Sequence, residues 1–549
     1  MRLSAKFLAA MLQSFRVQFG LLGATMPISP FSRRGFIAGS AAVAAFAMIQ
    51  SGRVWANPIF TRYPFRLGVA SGDPLPDGVV LWTRLAPEPL NGGGMPMRAV
   101  EVGWEIAADA RFRDIVQQGT ALARPELGHS VHVEATGLSP ARPYWYRFRA
   151  GQEISPVGRT KTAPAAGVTA ERVTFANAGC QRYEDGHFTA WRHIAGEDLD
   201  FVFHYGDYIY EYRNRRNAAA MTVRDYDADE IHTVVDYRNR YALYKLDPDL
   251  QAAHAAHPFV VTYDDHEVDN NWAGSFSEED GGANFPVAVP PELFAFRKQM
   301  ALQAWYEAMP VRRAQLPRGS DITAYRKLDF GDLVALHALD TRQFRDDQPC
   351  RGATMACDDR LRPGSQILGE AQEKWLMEGL RDSRARWNVL AQQVTMMQRR
   401  SGDGPDYAYS LDKWDAYPDA RNRLLKFVGE ARVQNLCVLT GDVHNAWVGE
   451  LKSDFADEKS PAVGTEFVAT SITSTGDGTE STPAAEAIIA KNPHIKFFNN
   501  RRGYTVQEAT PTKMTAHFRT VPYVTRQGAP LETKASFVVE AGSSRIARA

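Results

Sequence analysis

Asp200-Phe201-Val202-Phe203-His204-Tyr205-Gly206-Asp207-Tyr208-Ile209-Tyr210-Glu211 sets an apolar, aromatic run of strand length directly before a polar end. Phe201–Tyr205 predicts a buried strand. Gly206 breaks it, because a residue without Cβ lets the backbone turn sharply and approach a neighbour closely. Asp207 then stands as a hard oxygen donor at the carboxyl edge of a sheet, where open α/β sheets place their sites. Tyr210 follows about one turn on, within reach of the same ion. Taken alone, Asp after Gly is a turn or a helix cap. Other segments of the chain end in the same manner.

Val173–Ala178 runs into Gly179-Cys180-Gln181. Phe259–Tyr263 runs into Asp264-Asp265-His266-Glu267-Val268-Asp269-Asn270-Asn271-Trp272, a density of carboxylate, imidazole and amide that is costly unless something cationic neutralises it. Leu436–Thr440 runs into Gly441-Asp442-Val443-His444, an i, i+2 pair that faces one way if the strand continues. Leu333–Leu339 ends at Asp340-Thr341-Arg342, and Trp387–Ala391 at Gln392-Gln393; these read as supporting residues. Strands alternating with helical stretches such as Asp236–Ala256 and Glu370–Arg386 predict a layered α/β domain. Sheet topology can gather such ends at one edge. Thiolate, phenolate and imidazole suit a trivalent or borderline transition metal, and carboxylate and amide oxygens suit a hard divalent ion such as calcium.

In this order, G-C-Q, G-D-Y-I-Y, D-D-H-E-V-x-N-N and G-D-V-H resemble the PhoD-type alkaline phosphatases, within the calcineurin-like and purple-acid metallophosphatases. The resemblance extends to Phe65–Pro74 (F-R-L-G-V-A-S-G-D-P) and Val80–Arg84 (V-L-W-T-R). It implies an α/β fold, a two-sheet β-sandwich flanked by helices, and a site holding Fe3+ and Ca2+. Carried over, Cys180, Asp207, Tyr210 and His444 would hold the iron. Asp207 would bridge to calcium, with Asn271 and Asp442 as calcium ligands and Asp265 or Asn270 beside or instead of Asn271. His266 matches a histidine placed near the leaving group, and Arg342 is a candidate for orienting phosphate. Metal-activated solvent would attack phosphorus in line. No G-x-S-x-G elbow or Walker loop competes with this reading.

Residues 57–163 read as a small all-β domain of immunoglobulin or fibronectin type, with strands at Gly78–Arg84, Val100–Ala107, His129–Ala135 and Tyr144–Arg149 and a linker at Thr160–Gly167. His129 and His132 read as surface strand residues. Residues 164–549 then form the catalytic domain, with Gly464–Thr473, Met514–Val521 and Ala535–Val539 assigned to its second sheet. Residues 1–56 carry basic residues and no acid. Ser32-Arg33-Arg34-Gly35-Phe36-Ile37 is a twin-arginine pattern. The apolar run Ile37–Ile49 is shorter than the ~20 residues of a membrane span, and Val54-Trp55-Ala56 offers a cleavage site. The expectation is export by the twin-arginine machinery to the periplasm or outside, as a monomer without a stable membrane span. That route carries folded cargo, which suits a metal loaded before export.

Formal net charge is −1, with no basic tract for nucleic acid. Cys350 and Cys357 bracket a short loop and are expected to pair in an oxidising compartment; Cys437 reads as buried and inert. The reading is a phosphatase acting on phosphomonoesters, and on diesters as a second activity. The alternatives are a phosphodiesterase or phospholipase on the same scaffold, and a non-enzymatic envelope-binding protein with structural metals.

Overall fold

The computed structural model describes residues 60–213, 222–226, 230–279, 281, 287–352, 354–402, 407–457 and 459–549. The twin-arginine stretch lies outside them. Two sheets make the body. In the first, the parallel strands Val173–Ala178, Phe201–His204, Pro258–Val261 and Val69–Leu75 are neighbours in that order. In the second, Val334–Ala338, Trp387–Ala391, Leu436–Thr440 and Ala462–Val468 are parallel neighbours. The central strands Phe201–His204, Pro258–Val261, Val334–Ala338, Trp387–Ala391 and Leu436–Thr440 are fully buried and mostly apolar, as strands covered on both faces must be.

The side-chain period of two explains the layering. Phe201 and Phe203 pack with Val389, Leu336 and Leu439 between the sheets, while Val202 turns to the helices outside. Each of these buried aromatics contributes roughly 1.5–3 kcal/mol of apolar burial. Helices Thr189–Ala195, Val234–Lys245, Pro248–Ala256 and Pro291–Ala308 cover one outer face, and Gly369–Arg381 and Pro418–Glu430 the other. The sandwich is stapled at one end, where Asn177 donates to the Thr440 carbonyl at 3.1 Å and Tyr205 to that of Thr470 at 3.0 Å. The carboxyl ends of strands from both sheets are thereby held together.

Several expectations change. The stretch 236–256 is two helices, because Asp247 caps Asp249 and Leu250 and Pro248 starts a new turn. Strands Lys513–Val521 and Glu532–Glu540 extend the first sheet rather than the second, reached through Arg502–Ala509, which pairs antiparallel with Val173–Ala178. Of the N-terminal strands, Val69–Leu75, Gly78–Arg84 and Ser130–Thr136 continue the first sheet; Val100–Ala107 and Pro143–Ala150 lie in a separate sheet packed over them. The small sandwich therefore shares one of its sheets with the large one.

His129 and His132 are not surface residues. His129 is buried with its ring on the Arg98 carbonyl, and His132 stacks on Tyr306 and shares the Tyr306 and Met309 carbonyls. Sequence alternation located their strand but not the helix end that covers it. Cys350 and Cys357 form a disulfide. Cys437 is buried, and burial pushes its thiol up to about 12, as expected of an inert residue. No helix of the described residues is long and apolar enough to cross a membrane.

Candidate active site

Three strand ends of the first sheet and one of the second meet at that stapled edge. Gly206 sits at φ 127°, and a Cβ there would lie 2.5 Å from the Asp264 backbone nitrogen. Only glycine lets the two strand ends pass so closely. Gly441 likewise lies flat on the Tyr205 ring, where any Cβ would collide.

The side chains these ends deliver form three interlocking groups whose ligand atoms lie within 4.8 Å of one another: Cys180, Asp207 and His444; Asp207, Asp265 and His266; Asp264, Asp265 and Asp442. Asp207 belongs to the first two and Asp265 to the last two. Asp207 Oδ2 is 3.2 Å from Cys180 Sγ and accepts from the Tyr210 hydroxyl at 2.8 Å. Tyr210 Oη is also 3.2 Å from His444 Nε2. His444 Nδ1 contacts Thr475 Oγ1 at 2.8 Å, a partner that fixes the ring and leaves Nε2 toward the cluster.

The backbone is unusual at the same residues. Cys180, Asp207, Asn271, Asp442 and His444 all have φ between 49° and 66°. The left-handed region costs roughly 1–2 kcal/mol for a residue with a Cβ, least for Asn and Asp. Such concentrated strain marks functional sites. Asp442 and His444 do not lie on a continued strand. The strand stops at Thr440, and a turn aims both side chains into the cluster.

Burial raises the Cys180 thiol far above its usual range, and the charges of Asp207, Asp442 and Asp264 raise it further. Burial, then Asp207 and Cys180, do the same to the Tyr210 phenol. Burial would also raise Asp207, but the imidazoles of His266 and His444 and the Tyr210 hydroxyl hold it well below the ordinary carboxylate range. Burial pushes Asp264 and Asp265 up against the pull of Arg342. Asp207 Oδ1 and Asp264 Oδ2 are buried without a hydrogen-bond partner among the described residues. Leaving such oxygens bare costs about 1–3 kcal/mol or more each. A carboxylate cluster with bare oxygens, a thiol and a phenol fits cations: these would satisfy the oxygens and bind the sulfur and phenolic oxygen deprotonated.

The structure brings Cys180, Asp207, Tyr210, Asp265, His266, Asp442 and His444 together. Asn270 and Asn271 stand beside them; both side-chain amide nitrogens donate to Glu278 Oε1, and the same loop sends an Asp265 oxygen into the cluster. Asp265 is itself fixed by the N–H groups of His266 and Asn271, each at 2.9 Å. Arg342 is 0% exposed, and its guanidinium faces Asp264, Asp265, Asp412 and Asp442. It neutralises carboxylates in the wall and presents no free edge to a phosphate.

Sequence reasoning passed over several residues. Glu211, the last residue of the opening stretch, holds His266 Nδ1 at 2.7 Å. Glu267 accepts the N–H groups of Asp207, Tyr208 and Asp264. Both lay inside motifs already singled out. Asp412 and Lys413 come from a loop with no strand-end signal, and Ser474, 2.7 Å from Tyr210 Oη, lies just past Gly464–Thr473, the segment read as strand.

A two-sheet sandwich carrying such a cluster at its shared strand ends is a metallophosphatase arrangement, and the chain belongs to the PhoD-like phosphatase family. The family model "PhoD-like phosphatase" matches residues 175–518, and "PhoD-like phosphatase, N-terminal domain" matches residues 51–164. Among individual relatives, alkaline phosphatase D of Bacillus subtilis (strain 168) is 48% identical over 519 residues, covering 93% of this chain and 88% of that protein. A solved structure described as "Structure of PhoD" matches with a TM-score of 0.86 at 48% identity, covering 89% of this chain and 93% of that one. The fold and the family expected from the motifs hold, and the chain is a phosphoric ester hydrolase.

Proposed function

We propose that this enzyme is an exported alkaline phosphatase that cleaves phosphomonoesters with the help of iron(III) and calcium. Cys180, Asp207, Tyr210 and His444 would hold the iron, and Asp207, Asn271 and Asp442 the calcium, with Asp265 or Asn270 beside or instead of Asn271. The observation that carries this reading is Asp207: one carboxylate common to a thiol–imidazole group and a carboxylate group, with Oδ1 unpartnered. Soft and hard donors on either side of one bridging residue match two different ions. Bound there, the cations would neutralise phosphate oxygens and supply an acidified water as nucleophile.

The chain's own residues do the rest. Glu211 fixes His266, whose ring lies 4.1 Å from that of Tyr210. Burial works against the imidazolium, but Glu211, Asp207 and Asp265 outweigh it and hold the proton well above the usual histidine range. His266 is thus equipped to give a proton to the departing alkoxide. Arg342 balances the carboxylates, and we assign it no contact with phosphate. The twin-arginine pattern supports export, with residues 57–163 and 164–549 as the two modules of the mature protein. Metal-replete enzyme should turn over a chromogenic phosphomonoester faster than the corresponding bis-ester; failure on both would reject the assignment. Replacing Arg33 and Arg34 with lysine should leave active enzyme in the cytoplasm.

A further inference from the structure

We propose that Lys413 is the cation that meets the substrate's phosphoryl group, and that it makes the site favour the dianionic head of a monoester over the monoanionic diester. The proposal rests on the phosphatase reading above and adds a determinant of substrate class to it.

Three cationic side chains contact the acidic wall of the site, and they are not equivalent. Arg342 and Arg345 are fully buried. Arg342 has its N–H groups on Asp264, Asp265, Asp412 and Asp442; Arg345 has its own on Asp412 and on the Asn271 and Trp272 carbonyls. Neither can turn toward a ligand without stranding buried partners. Lys413 differs. Its side chain retains 12% exposure, and among the described residues its ammonium pairs with Asp412 Oδ2, at 2.8 Å, and Asp442 Oδ2, in a close ion pair.

Its backbone is anchored on both sides. Asp412 is gripped by Arg342, Arg345 and Gln348, and the Trp414 indole donates to Gln392 Oε1 at 2.9 Å. A flexible four-carbon stem therefore swings from a fixed point at the edge of the cluster.

The Asp442 contact is the one that changes when the site is loaded. A divalent ion bound through Asp442, as proposed above, would share that carboxylate with the ammonium, and like charges that close in a buried site repel strongly. Asp412 remains as a tether. An ammonium released from Asp442 would stay at the edge of the cluster, within reach of an anion bound there. A monoester presents a charged oxygen to it; in a diester the second ester group has removed that charge. The cation therefore strengthens binding of the first and gives little to the second.

The test uses metal-loaded full-length protein, a chromogenic phosphomonoester, its bis-ester, and inorganic phosphate as inhibitor. In Lys413→Gln the monoester-to-diester ratio of kcat/KM should fall about tenfold, and phosphate inhibition should weaken by a similar factor. Lys413→Arg, which keeps the charge, should restore most of both, and it serves if the glutamine variant does not fold. Equal losses on the two esters, or unchanged phosphate inhibition, would overturn the proposal. So would loss of bound metal from Lys413→Gln, which would make Lys413 a support for Asp442. Wild-type protein inert toward both esters would instead defeat the underlying phosphatase reading.

Discussion

Replacing Glu267 with glutamine should disable the site while leaving the fold standing. Glu267 Oε2 accepts the N–H of Asp207 at 3.1 Å and of Asp264 at 2.9 Å, and Oε1 that of Tyr208 at 2.6 Å. No acceptor role is available to an amide NH2 among three donors. Glutamine can serve two N–H groups with its carbonyl and must oppose the third with its own donors. One buried N–H is then unsatisfied, at about 1–3 kcal/mol. Alanine strands all three, at roughly three times that cost, comparable to the stability of a whole domain. The glutamine variant should therefore fold and the alanine variant fail. Asp207 stands at φ 54°, a conformation its surroundings must hold. A displacement of about 1 Å at such a residue can cost about 10²-fold in rate. The assay is kcat on a chromogenic monoester together with metal content and near-UV circular dichroism. A folded Glu267→Gln protein with wild-type kcat and full metal would refute this account of how Asp207 is positioned.

Tyr210→Phe should abolish the visible charge-transfer band of a tyrosinate–iron(III) bond with the fold intact; an unchanged spectrum would remove Tyr210 from the ligand set. Chelation by EDTA should take calcium from the carboxylate side and leave iron on thiolate and phenolate, so that activity returns on adding calcium alone. Acid should destabilise the protein through His132, which burial holds neutral, its pKa depressed to about 4 despite the Met309 and Tyr306 carbonyls. Its folded pKa lies below the unfolded value, so the unfolded chain takes up the proton first. Stability is full above about pH 6.5 and falls toward pH 4, by about 3 kcal/mol for this group. In His132→Gln, urea unfolding followed between pH 7 and 4.5 should show a shallower loss, and an unaltered slope would count against the histidine.

The catalytic half of the fold was legible because buried parallel strands write themselves as apolar runs stopped by glycine. Val173–Ala178, Phe201–His204 and Leu436–Thr440 fall where the runs predicted. The sheet assignment of Met514–Val521 was not legible, since alternation reports that a strand is half-buried and nothing about its neighbour. The same limit hid the shared sheet under the N-terminal strands. Cys180, Asp207, Asp265 and Asp442 announced themselves by following strands. Asp412 and Lys413 reach the site from a loop whose position depends on the packing of Trp414 and Asp415, which local sequence does not encode. The strand end at Thr440 was legible, but the turn that carries Asp442 and His444 was not, because its left-handed residues are not glycines.

The claim at the centre is that one cluster holds a trivalent and a hard divalent ion across Asp207. Elemental analysis of protein purified from its native export route addresses it most directly. The account predicts iron and calcium, with one iron per chain that is lost in Cys180→Ser; zinc and magnesium in their place would contradict it.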